Sequence, residues 1–170
     1  MAWIHPGDNM VNDGSPYKFG PQMFMNHDVV LVSIQYRLGP FGFLRYLHIS
    51  FYKLKKYIND HHDNASMEND EAPGNLGLRD QALALEWIKK EGKNFCGNSE
   101  KITVFGSGSG GSSAMLQILT PLNKGKNLVQ GAISQSGNLI DQSGLMKINR
   151  RNITLELAKS LGCKTNKVLL

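Results

Sequence analysis

Across 170 residues, 41% hydrophobic and 19% charged side chains give the balance of one globular domain and exclude a disordered chain. The formal charge of +5 comes from Lys and Arg scattered along the sequence, apart from Lys53, Lys55 and Lys56, and no basic stripe interleaved with aromatics is present to suggest a nucleic-acid partner. Two cysteines, Cys96 and Cys163, cannot build a disulfide framework and match no zinc spacing, and no apolar run approaches the roughly 20 residues that span a bilayer.

Residues 1–7 carry neither the charged nor the apolar region of a secretion signal, so localisation is left open. Ala2-Trp3-Ile4-His5 reads as the end of a strand, followed by turn-forming residues at Pro6-Gly7-Asp8-Asn9. Residues 29–36, a mostly apolar and β-branched run stopped by Gly39-Pro40, predict a strand buried on both faces, as in a parallel sheet covered by helices.

Residues 45–66 break the pattern. They are rich in Lys, Asn, Ile, Tyr and Phe, whose codons are rich in A and T. His61-His62-Asp63 would suggest a metal site, but adjacent side chains diverge in a strand or helix and no third ligand is evident, so a solvated loop is expected and no metal is assigned. Asn64-Ala65-Ser66, and later Asn152-Ile153-Thr154, are glycosylation sequons that matter only in a secretory pathway.

Residues 75–92 place Leu78, Ala82, Leu85 and Ile88 at helical spacing with Arg79, Glu86, Lys89 and Lys90 on the other faces, and Gly92 as a stop. Ile102-Thr103-Val104-Phe105 running into Gly106 predicts a strand, Gly110 to Leu119 a helix, Gly131-Ala132-Ile133-Ser134 a fourth strand, and residues 154–161 a last helix. This alternation argues for an open α/β sheet with right-handed crossovers.

Several of these segments form longer motifs. Trp3-Ile4-His5, Gly14-Ser15-Pro16-Tyr17, residues 29–44, Ala72-Pro73-Gly74-Asn75-Leu76-Gly77-Leu78-Arg79-Asp80-Gln81, Phe105-Gly106-Ser107-Gly108-Ser109-Gly110-Gly111 and Gly131-Ala132-Ile133-Ser134-Gln135-Ser136-Gly137 follow one another in an order and at spacings that resemble the first third of a type-B carboxylesterase or cholinesterase. The resemblance implies a partial α/β-hydrolase: one domain over residues 1–170, with about four mostly parallel strands in spatial order second, first, third, fourth, joined by crossover helices. It covers nearly everything outside residues 45–66, an atypical insert that reads either as translated noncoding sequence or as a surface loop. No cofactor is implied.

In an α/β-hydrolase the nucleophile stands on a sharp strand-to-helix turn, Gly-x-Ser-x-Gly, with Oγ projecting above the sheet. Aligned on the family's Phe-Gly-Glu-Ser-Ala-Gly-Gly, the chain carries Ser107 in the glutamate position, Gly108 in the serine position and Ser109 in the alanine position. The attacking atom is absent, and Ser107 and Ser109 are weak substitutes because successive side chains at such a turn point in different directions. The resemblance places the oxyanion-hole donors at Gly7, Asp8 and Ser109, with Pro6 and Asp8 replacing two of the family's glycines. Ser136 resembles a serine that supports the family's site.

The fold's acid and histidine follow the nucleophile in the chain. Here His5, His27, His48, His61 and His62 all precede Gly108, and the acids after it, Asp141 and Glu156, come too early to match the family's acid. Cys163 resembles one half of a family disulfide, and Cys96 falls where the family usually has glycine. Against that pattern the chain reads as a truncated, catalytically inactive carboxylic ester hydrolase. Two alternatives stay open: a cholinesterase-like adhesion module with protein partners, or part of an enzyme that acts on carboxylic esters through a shifted serine.

Overall fold

The computed structural model describes residues 1–43, 75–138, 156–157 and 159–162. Residues 45–66, including Asn64 and the histidines of the insert, lie outside the described residues, as do Asp141, Asn152 and Cys163. The chain divides into two compact units, Met1–Phe43 with Leu76–Asp141, and Leu44–Asn75 with Gln142–Leu170. Of the second unit, Glu156, Leu157, Lys159 and Ser160 are helical as the sequence predicts, and the helix ends at Gly162 with φ +71°.

The first unit is built on four strands, β1 (Ala2–Ile4), β2 (Val32–Ile34), β3 (Thr103–Ser107) and β4 (Gly131–Gln135), in the order β2-β1-β3-β4. Every pairing is parallel. This is the order the sequence predicts. The strand predicted over residues 29–36 shortens to Val32–Ile34 because β1 offers only three residues to pair with, in register Ala2↔Val32 to Ile4↔Ile34.

The strands' period of two divides the side chains between the sheet's faces. On one face Ala2, Ile4, Ile34 and Val104 join a core with Leu85 and Ile88 of the long helix and Ala114 of the helix that follows β3. On the other, Trp3 and Phe105, paired across β1 and β3, sit with ring centroids 4.9 Å apart, and Phe19 and Phe24 extend the aromatic cluster.

Among the described residues, three α-helices lie between the strands in the chain. α1 (Gly39–Phe43) is a short turn of helix that the Gly39-Pro40 signal did not predict. α2 (Leu76–Glu91) matches the predicted amphipathic helix within a residue at each end and buries Ala82, Leu85 and Ile88. Leu85 is fully buried, so Leu85→Ala falls in the range of about 2–5 kcal/mol typical of core truncations. α3 (Ser109–Leu119) buries Gly110, Gly111, Ser112, Ser113 and Ala114, a run of small residues that lets its axis approach the sheet closely.

A largely apolar cavity of about 380 Å³ opens at the amino-terminal ends of β2 and β3, lined among others by Val30, Val32, Trp87, Ile88, Phe95 and Ile102. It lies at the opposite end of the parallel strands from the turn between β3 and α3. No helix among the described residues is long and apolar enough to cross a membrane, and no cluster of metal-ligating side chains occurs among them.

Candidate functional site

The chemistry-bearing motifs meet where β3 passes into α3. Gly106 in β3 and Gly110 in α3 make this turn sharp: a Cβ on Gly106 would strike the Gly110 backbone, and one on Gly110 would lie 2.8 Å from the His5 carbonyl oxygen and overlap that of Ile4. Between them Gly108 caps α3 at φ +54° and ψ −123°. That conformation costs an L-residue on the order of 1–3 kcal/mol and glycine far less. Gly108 N–H donates to the Gln135 carbonyl at 2.9 Å, and Gly108 O accepts from Ser112 N–H at 3.0 Å.

Space is not what keeps a side chain out. A Cβ built on Gly108 meets only Pro6 Cβ, at 3.8 Å, an ordinary van der Waals contact. The two flanking serines are placed differently. Ser107 is the last residue of β3, in register with Gln135 of β4. Ser109 opens α3, is 6% exposed, and has a buried Oγ with no hydrogen-bond partner among the described residues.

The exit of β4 braces the turn from the other side. Ser134 Oγ donates to Gly137 O at 2.5 Å, Ser112 Oγ donates to Asn138 O at 3.2 Å, and a Cβ on Gly137 would collide with Gly108 O. Ser136, within this brace, sits at φ +52°.

Beside the turn lies the loop after β1, whose Pro6 Cβ is 3.8 Å from where a Cβ on Gly108 would stand. His5 is fully buried; its Nδ1 lies 2.9 Å from Pro6 O, which fixes the proton on Nδ1, and its ring stacks on Tyr36 with centroids 4.4 Å apart. The Tyr36 hydroxyl donates to His5 O at 2.8 Å, and burial pushes its pKa up to about 12, so it remains a donor at neutral pH. Sequence patterning marked both residues only as parts of motifs.

Beyond Pro6, Gly7 takes φ +128° and its carbonyl receives Met10 N–H at 2.9 Å and Val11 N–H at 3.1 Å. Asp8 and Asn9 follow at φ +54° and +62°. No backbone hydrogen bond among the described residues uses the N–H groups of Gly7, Asp8 or Ser109. The exposed Asp8 carboxylate stands in the same loop.

Two further interactions tie the site's supports together and were not foreseeable from sequence spacing. Arg37, just past β2, holds Asp80 of α2 through N–H at 3.0 Å, Nε at 2.7 Å and one terminal nitrogen at 2.7 Å. The Arg37 side-chain hydrogen bonds, against a partial burial that works the other way, hold the Asp80 carboxyl below the usual carboxylate range. Gln117 of α3 donates to Leu78 O and to Gln81 Oε1, both at 3.1 Å, linking α2 and α3. Cys96 is an exposed free thiol.

The model of the carboxylesterase family matches residues 1–50 and 65–169. The chain belongs to the carboxylesterase family. It is 35% identical over 167 residues to the juvenile hormone esterase of Tribolium castaneum, covering 98% of this chain and 24% of that protein. It is 34% identical over 170 residues to cholinesterase 2 of Branchiostoma lanceolatum, covering 98% of this chain and 43% of that one. Among solved structures, the juvenile hormone esterase of Manduca sexta with OTFP covalently attached superposes with a TM-score of 0.75 at 23% identity, over 96% of this chain and 27% of that chain. The four parallel strands are therefore part of an α/β-hydrolase sheet, and the chain spans about a quarter of the length of either juvenile hormone esterase.

Proposed function

We propose that this chain is a non-catalytic member of the carboxylesterase lineage, one that keeps the nucleophile turn without a nucleophile. The observation that carries the reading is Gly108 at the apex of the turn, at φ +54° and ψ −123°, with room for a Cβ beside Pro6 but none present. Loss of a serine nucleophile from a triad lowers turnover by a factor of about 10⁶, equivalent to roughly 8 kcal/mol of transition-state stabilisation. No neighbouring contact supplies that much.

The placements of the flanking serines support the same reading. Ser109 Oγ is enclosed in the first turn of α3, and Ser107 belongs to the β3–β4 ladder, so a shifted nucleophile requires the turn to be rebuilt. The N–H groups of Gly7, Asp8 and Ser109, where the resemblance places an oxyanion hole, would stabilise an oxyanion only once something had attacked the acyl carbon.

The test is labelling of the folded chain with a fluorophosphonate, with an active serine esterase as positive control. The expected result is no adduct on the peptide holding residues 105–111 by mass spectrometry. An adduct on Ser107 or Ser109, abolished by the matching alanine variant, would overturn the proposal and establish the shifted-serine alternative.

A further inference from the structure

We draw no further inference here: the strongest candidate, the apolar cavity of about 380 Å³ at the amino-terminal ends of β2 and β3, carries nothing because no feature of the structure shows what covers it.

Discussion

The turn at Gly108 and the turns at Asp8 and Cys96 depart from the family's glycines in opposite directions. At the apex between β3 and α3, glycine stands where the resemblance places serine, and the backbone is at φ +54°. At Asp8 and Cys96 a side chain stands where the resemblance places glycine, and the backbone is at +54° and +61°. The left-handed conformation costs a residue with a Cβ roughly 1–2 kcal/mol, so the backbone is relaxed at Gly108 and carries that cost at Asp8 and Cys96, as it does at Ser136. The close approaches at Gly106, Gly110 and Gly137 are expected to hold the apex in shape independently of the residue at position 108.

The sharpest way to break that statement is Gly110→Ala. In an ordinary helix interior the change gains up to about 1 kcal/mol from propensity. Here the new Cβ overlaps the Ile4 carbonyl, and backbone on both sides must give way. A net loss of about 3 kcal/mol is expected, read as a lower urea midpoint with an unchanged slope. A neutral or stabilised variant would mean that the close approach of α3 to β1 does not set the turn.

Gly108→Ser comes next in size. Because its Cβ has room beside Pro6, the expected loss is the conformational cost alone, about 1–3 kcal/mol, smaller than for Gly110→Ala and measurable by the same unfolding curves. If the order of the two variants is reversed, residue 108 itself shapes the turn.

How far the sequence revealed this arrangement depends on the range of the interactions involved. α2 was legible because sixteen residues repeat one apolar spacing and Gly92 stops it, and the sheet order followed from motifs that stay in register with the family. α1 was not, since Gly39-Pro40 signals an interruption equally well whether a turn or a short helix follows. The extent of β2 was misjudged because strand length is limited by the partner, which lies 30 positions away in the register. At the site, the absence of a hydroxyl at position 108 is plain from the sequence. The enclosure of Ser109 Oγ, the Tyr36 hydrogen bond to His5 O and the Arg37–Asp80 pair all depend on packing between elements remote in the chain, which no local pattern encodes.

The Arg37–Asp80 pair fastens β2's exit to α2 and makes stability pH-dependent in a definite direction. Folding holds the Asp80 carboxyl below its unfolded value of about 3.9, so its contribution is fully present above that value and is lost as pH falls through the lower folded value. The Arg37 side chain is half exposed, which limits the pair to about 1 kcal/mol even with bidentate geometry. Urea unfolding between about pH 5 and pH 2 should show a flatter acid limb for Asp80→Asn than for the unmodified chain. Parallel limbs would remove Asp80 from the account.

The smallest effect tests the strained side of the comparison. After α2 the chain runs through a 3₁₀ turn, Gly92–Phe95, and closes it with Cys96 N–H donating to Lys93 O at 3.2 Å and Gly97 N–H to Gly92 O at 2.9 Å. These are the paired bonds of a Schellman cap, whose left-handed position favours glycine, and Cys96 occupies it. The thiol is exposed, so removing it forfeits little buried surface. Relief of the Cβ penalty, about 1–2 kcal/mol, is offset by the extra entropy that glycine brings to the unfolded chain, about 0.5–1 kcal/mol. Cys96→Gly should therefore stabilise by about 0.5–1 kcal/mol, and Asp8→Gly by less, because a short polar side chain tolerates the left-handed region better than cysteine does. Thermal unfolding of the two variants decides it: if both are destabilised, the chain has already adapted to these side chains and the strain assigned to its supporting turns is not there.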